Sequence, residues 1–374
     1  MSKTAKVVVG IIVIIVLVWI VSAAAKKADP TLSEPIKIGF IGPLTGDAAG
    51  LGAASRSAVE LAIEEANAAG GIDGRQLEVV YEDGQCSPAP ATSAAQKLIS
   101  LNKVSAIIGG LCSSETSAFA PTAMQNKIVT IAYCSSAPAL SNTGKYFFRT
   151  YPSDAYQGKF AAEYAFNTLK AKKIAIIYHI SDWGTGIKDV FSARFTELGG
   201  TVIAVEGVAQ DSRDYRTQIS KIKASGFDTL YIPVYPDGGI ALVKQLKDAG
   251  IPAAKILGAE TFNDPKFLAD TKGSADNIII TASEIPLSES FKQKMAQKTG
   301  QPDVPICAPQ AYDAAQVLIG ALKVAGVDGD KLSDAVRATS IVGESGKISF
   351  DKNGDPTTAN FVVKKIVGGT LVAQ

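Results

Sequence analysis

Val104-Ser105-Ala106-Ile107-Ile108-Gly109-Gly110-Leu111-Cys112-Ser113-Ser114 is the stretch whose reading decides the fold. Val104 to Ile108 is short and apolar, as a buried strand is. Glu115 to Asn126 reads as the helix that follows, with Pro121 its one awkward residue. A strand that ends in glycines and hands over to serines at a helix start presents free backbone N–H groups. The positive end of the helix dipole points the same way, which favours an anion. The glycines let a ligand come close to the backbone. No Lys-Ser/Thr pair closes the stretch as in a nucleotide P-loop, so the expected anion is small, such as a carboxylate. Taken alone, the same residues make an ordinary turn with a serine cap. The rest of the chain has to decide.

The unit recurs on both sides. Ile36–Ile41, Leu77–Tyr81 and Ile128–Ala132 are strand-like, and helical patterns lie at Ala53–Ala69 and Ala91–Leu101. The pattern then restarts. Ile174–Tyr178, Val202–Val208, Thr229–Val234, Lys255–Leu257 and Asn277–Thr281 alternate with helical stretches at Ile187–Leu198, Tyr215–Ala224 and Ile240–Ala249. Late helices are expected at Ser288–Lys298 and Gln310–Val324, and a last strand at Phe361–Val367. Alternating strands and helices predict an α/β fold with parallel sheets and right-handed crossovers. Two such series predict two Rossmann-like lobes facing across a cleft.

At 374 residues the chain has room for two domains of ordinary size. A net charge of +1, with lysines scattered along helical segments, argues against a nucleic-acid partner, which would call for a concentrated basic face. Val7 to Val21 is continuously apolar between Lys3/Lys6 and Lys26/Lys27, and Ala23–Ala25 extends it toward the ~20 residues of a membrane-spanning helix. The same segment has the parts of a cleavable signal peptide. Residues 1–27 are therefore expected to be a signal peptide or transmembrane anchor, with 28–35 a linker and everything after it extracytoplasmic. No cysteine lies near enough for a lipid anchor. Export turns the four cysteines into disulfide candidates. Cys86 and Cys112 follow predicted strands at one sheet edge, and a bridge closing about 26 residues would contribute about 3 kcal/mol. Cys134 and Cys307 either pair with each other or stay as thiols.

Ligands of open α/β sheets bind beyond the carboxyl ends of the strands. There the first half offers Gly42-Pro43-Leu44-Thr45-Gly46, then Cys112-Ser113, then Cys134-Ser135-Ser136. The second half offers Asp182-Trp183-Gly184, Tyr235-Pro236-Asp237 and Glu260-Thr261. One side supplies hydroxyls and helix N-termini, the other aromatics and a carboxylate, which together suit a zwitterion. Each residue has an ordinary reading as well. Glu260 is a solvated carboxylate, Trp183 a core residue, Tyr235 a loop plug, Ser136 a helix cap. The set becomes persuasive by recurring at successive strand ends.

With these residues in view, the chain resembles the leucine/isoleucine/valine-binding proteins, receptors of ABC transporters with the type I periplasmic binding protein fold. The likeness rests on Ile38–Gly46, Asn67–Gly74, Tyr81-Glu82-Asp83, Leu111–Ser114, Phe148-Arg149-Thr150 and Gln310–Ala314. It implies two lobes joined by a multi-strand hinge, residues 36–152 plus 284–356 and residues 153–283 plus 357–374. It implies that Ser113 and Ser136 hold an α-carboxylate and that the Cys134 carbonyl, Glu260 and Tyr235 take the ammonium. Ser135 stands beside them, Trp183 sits on the closing lobe, and Cys86 pairs with Cys112. Leu51 stands where these relatives tend to have tyrosine, and Cys134 where they have a smaller residue, so the side-chain pocket differs. The expected function is capture of an aliphatic α-amino acid by a monomer that delivers it to a membrane permease; a ligand-sensing receptor of the same fold is the alternative. Neither a cofactor nor a metal is expected. An enzyme is disfavoured, since His179 is the sole histidine and no Gly-x-Ser-x-Gly elbow occurs. Asp182–Gly186 lacks the third glycine of a dinucleotide loop. Asp351–Asp355 begins like a calcium loop but has Val362 where the glutamate belongs, so it reads as a turn.

Overall fold

In the computed structural model, which describes residues 34–374, the apolar runs form two sheets wound alike. The expected N-terminal apolar helix lies outside the described residues; among those described, no helix is long and apolar enough to cross a membrane. The first sheet holds β1 (Ile36–Gly42), β2 (Leu77–Asp83), β3 (Ala106–Gly109), β4 (Val129–Ala132) and β5 (Phe147–Arg149) in the order β2-β1-β3-β4-β5, all parallel. Between these strands run α1 (Ala49–Ala68), α2 (Pro88–Gln96) and α3 (Ser113–Gln125). The second sheet begins with β6 (Lys173–His179), β7 (Thr201–Val208), β8 (Thr229–Ile232), β9 (Ile256–Gly258) and β10 (Ile279–Ser283). Their order, β7-β6-β8-β9-β10, repeats that of the first sheet. Both windings reverse beside their first strand, which opens a crevice past the ends of β1/β3 and of β6/β8.

Around the second sheet lie α4 (Asp154–Glu163), α5 (Asp182–Glu197), α6 (Arg216–Ser225), α7 (Pro236–Asp248) and α8 (Pro265–Asp270). The chain then returns to the first sheet with α9 (Glu289–Thr299), α10 (Ala308–Ala325), α11 (Gly329–Arg337) and the hairpin β11 (Ser340–Gly343)–β12 (Gly346–Ser349). Phe291, Leu318 and Leu332 from these helices share one core with Ile38, Phe40 and Ile108. It ends on β13 (Phe361–Val367) and β14 (Thr370–Ala373), added antiparallel to the edge of the second sheet. The chain thus crosses between sheets three times, after β5, after β10 and after β12.

Several elements depart from the sequence expectation. β14 follows the strand expected to be last. The helix expected at Ala91–Leu101 ends at Gln96 and continues as a π-turn over Lys97–Asn102. β5 and α4 were not expected. β5 has three residues, too few to show a period, and Asp154-Ala155-Tyr156-Gln157-Gly158 mixes polar and apolar residues without a clear stripe. Both cysteine pairs are bridged, Cys86–Cys112 and Cys134–Cys307, with Cα–Cα separations of 5.2 and 5.3 Å.

Candidate functional site

The junction from β3 to α3 is held by one buried carboxylate. Glu115, in the first turn of α3, accepts from Cys112 N through Oε2 (3.0 Å) and from Cys86 N through Oε1 (2.9 Å). It ties together the backbones of the two cysteines that the disulfide joins. Burial pushes its carboxyl up to about 7, against the pull of the backbone donors at Cys112, Cys86 and Leu111. Behind it a hydroxyl chain runs through the strand ends. Gly110 N donates to Thr116 Oγ1 (3.1 Å), Thr116 Oγ1 meets Ser135 Oγ (2.7 Å), and Ser135 Oγ donates to Gly110 O (3.0 Å). Ser113 is thereby presented at the N-terminus of α3, its Oγ accepting from Ala137 N (3.1 Å). The turn carrying Ser136 is gripped by buried Arg149, which donates from Nη1 to Ser135 O (3.2 Å) and Ala137 O (3.0 Å) and pairs through Nε with Asp355 (2.7 Å). Asp351 Oδ1 in turn accepts from Asn353 N and Asp355 N, so the Asp351–Asp355 loop is a turn that supports this grip.

The second lobe supplies the facing wall. Trp183 lies in the first turn of α5, capped by Ser181 Oγ accepting from Gly184 N (3.0 Å). Its ring packs on Tyr235 with centroids 4.8 Å apart. Tyr235 N donates to His179 Nδ1 (3.1 Å), and Tyr215 OH donates to Ser212 O (3.0 Å). His179 Nε2 therefore carries the proton toward Tyr215 OH at 3.1 Å. Burial, then the nearby Arg213 charge, lowers this imidazole to about 3, so it stays neutral and acts as a backbone clamp.

Glu260 opens a 3₁₀ turn just past β9 and is buried. Gln157 Nε2 donates to its Oε2 and, at 3.3 Å, to Thr281 O. Burial lifts the Glu260 carboxyl to about 7; bonds from its own backbone, Gln157 and the Trp183 indole pull the other way. A second buried carboxylate faces it. Asp154 Oδ2 accepts from Ser136 Oγ (2.8 Å), while Oδ1 has no partner among the described residues. Burial and then the charge of Glu260 raise Asp154 well above the usual carboxylate range; Ser136 and Arg149 oppose this. Asp154 and Gln157 went unseen in the sequence because α4 did. The available signal was Ser153-Asp154, a serine cap before an acidic first-turn residue, with Ser153 Oγ accepting from Ala155 N (3.3 Å).

Leu51, Ser113, Cys134, Ser136, Trp183, Tyr235 and Glu260 all line one small cavity of ≈ 20 Å³. Of the residues expected at the site, Ser135 is absent from this lining, because its hydroxyl is committed to Gly110 and Thr116. Leu111, Thr261, Ile306 and Cys307 complete the wall. A space near that of one water sphere means the lobes are pressed together. Trp183 and Tyr235 accordingly join the core of the first lobe. A cleft of ≈ 1080 Å³, lined by residues of both lobes including Asp47, Ser114, Pro138 and Asp182, adjoins this cavity. Across it, Asp182 N donates to Ser114 Oγ (3.1 Å) and Arg213 pairs with Asp47.

A leucine-, isoleucine-, valine-, threonine- and alanine-binding protein of Pseudomonas aeruginosa is 30% identical over 342 residues, 88% of this chain and 90% of that one. The Leu/Ile/Val-binding protein of Escherichia coli K12 is 26% identical over 334 residues, 88% and 90% of the two chains. Among solved structures, a leucine-binding protein from Thermotoga maritima superposes with a TM-score of 0.82 at 27% identity, over 91% of this chain and 97% of that one. The branched-chain amino-acid transporter substrate-binding protein of Streptococcus pneumoniae, in complex with isoleucine, does so with a TM-score of 0.82 at 28% identity, over 91% and 98%. The periplasmic binding protein family model matches residues 35–370, nearly the whole of the described two-lobed structure: the chain belongs to the periplasmic binding protein family.

Proposed function

We propose that this protein is the extracytoplasmic substrate-binding component of an ABC importer and that it traps an aliphatic α-amino acid between its lobes. The observation that carries this reading is one cavity with two opposite poles and an apolar wall. Ser113 and the N-terminus of α3 suit a carboxylate. Glu260, with Asp154 behind it, suits an ammonium. Leu51, Leu111 and Ile306 suit a hydrocarbon side chain. Relatives named for leucine, isoleucine and valine, and one solved with isoleucine bound, support the same ligand class.

The hydrogen bonds refine one role. Ser136 Oγ gives its proton to Asp154, so toward the ligand it offers lone pairs and belongs with the ammonium pole. The lobes are proposed as 36–152 plus 284–356 and 153–283 plus 357–374; the second core draws only on the latter residues, while the first also takes in Trp183, Ile187, Tyr235 and Ala259 from the facing lobe. Export or anchoring falls to residues 7–25, and the receptor works as a monomer against a membrane permease. Charge-assisted bonds of about 1.5–3 kcal/mol each are enough, after ordering costs, for micromolar affinity. Isothermal titration with leucine, isoleucine and valine tests the reading; Glu260→Ala is expected to weaken binding by about tenfold or more. Absence of binding to every α-amino acid would overturn it.

A further inference from the structure

The cavity is too small in this closed form to take an amino acid unless one of its walls gives way. Three walls can be compared. The Ser113 wall is fixed twice, by the Cys86–Cys112 disulfide and by Glu115. The Trp183–Tyr235–Glu260 wall belongs to the second lobe and moves with it as a body. The third is the end of the irregular segment 300–307, where Ile306 and Cys307 face the cavity. Gln301 to Asp303 in that segment are exposed, and no helix or strand contains it. At its far end Cys307 holds a left-handed backbone (φ 72°), an unfavourable state for a residue with a Cβ that persists only where the surroundings impose it. The Cys134–Cys307 bridge is made at this residue, joining the loop after β4 to the residue that caps α10.

Ile306 has a second neighbour. It also lines a separate cavity of ≈ 440 Å³, with Leu268, Ile285, Leu287, Val304 and Pro309 among its other residues. Ile306 is the one residue common to both linings, so it separates the ligand site from a much larger, partly apolar space. The bridge anchors the residue next to it.

We propose that the Cys134–Cys307 disulfide, by pinning Ile306, is the size filter of the ligand site and restricts it to aliphatic side chains. The inference rests on the reading of the site as an amino-acid trap. With the link in place, lobe opening admits the ligand but the pocket cannot widen sideways. Without it, Ile306 can yield toward the adjoining cavity, and a ring can follow.

Titration calorimetry of leucine and phenylalanine on four proteins tests this. The wild type is expected to favour leucine by about tenfold or more. Cys134→Ala/Cys307→Ala removes link and volume, and Cys134→Ser/Cys307→Ser cuts the link while nearly keeping the volume. Ile306→Ala removes the partition and leaves the disulfide intact, so it carries the test if the cysteine variants do not fold. In each variant the leucine-to-phenylalanine affinity ratio is expected to fall by about tenfold. A ratio within about twofold of wild type in Ile306→Ala and in the folded cysteine variants would overturn the filter alone, as would a wild type that binds both equally. A wild type that binds no α-amino acid overturns the reading beneath it instead.

Discussion

Glu260 shows how one residue can be costly to the fold and necessary to the ligand. Its carboxyl is raised from the ordinary 4.5 to about 7, chiefly by burial. The ligand ammonium needs the ionised form, so affinity should weaken as pH falls through 7. Between pH 8 and pH 6 the dissociation constant should rise about tenfold in the wild type and change less in Glu260→Gln, where Asp154 is the carboxylate left at that pole, read by calorimetry. Stability of the unliganded protein has the opposite sign. Between 4.5 and 7 the folded state keeps a proton that the unfolded chain has released, so the stability contributed by Glu260 falls as pH rises through that window. Glu260→Gln should therefore gain stability relative to wild type at pH 8 compared with pH 5, measured by urea denaturation. Taking the difference between variant and wild type cancels His179, whose lowered value gives the contrary slope, and leaves Glu260 together with its effect on Asp154, which is raised by the Glu260 charge. A difference that does not change with pH would show that Glu260 is ionised throughout.

At the scale of an element, α3 is positioned by its own third residue rather than by its serines. Both Glu115 oxygens accept from backbone N–H groups, one on each half of the Cys86–Cys112 bridge. Glu115→Gln keeps the shape but sets an amide N–H₂ against one of those donors. It should cost about 1–3 kcal/mol in urea unfolding and weaken the ligand through the displaced Ser113. This part of the site was only half legible in the sequence. Short β-branched runs with glycine or serine at their ends give strands and their order in the chain, and strand ends give the cleft, so Ser113, Ser136, Trp183, Tyr235 and Glu260 could be placed together. Direction of hydrogen bonding could not be read. Ser135 and Ser136 are adjacent serines, yet one hydroxyl turns back to Gly110 and the other to Asp154. Arg149 and Asp154 act through partners far away in sequence, Arg149 through Asp355 and Asp154 beside Glu260. The first pairing forms only once the chain has crossed to the second sheet and returned, the second only once β9 has been laid down beside α4. A helix such as α4, without an apolar stripe, leaves no periodic trace to lead to them.

For the whole molecule, the closed arrangement also rests on direct contacts outside the ligand site, Asp182–Ser114 and Arg213–Asp47 among them, which lets closure be perturbed without touching that site. The Arg213–Asp47 pair bridges the lobes but is partly exposed, so Arg213→Ala should cost no more than about 1 kcal/mol of closure and raise the dissociation constant about fivefold at most. Gly186 is a sharper lever. It lies inside α5, where its helical backbone suits any residue, but in the closed form a Cβ there would come within 2.9 Å of Pro138 Cδ on the opposite lobe. A proline ring cannot swing aside as a long side chain can. Gly186→Ala should thus stabilise α5 in the open form by about 0.5–1 kcal/mol, as glycine replacement in a helix does, while obstructing closure. The expected signature is a melting temperature at or above wild type without ligand and a smaller upward shift with leucine. In small-angle scattering the wild type should contract on adding leucine and the variant contract less. A variant that contracts and binds as wild type does would show that the lobes meet with more slack at Gly186–Pro138 than the closed form allows.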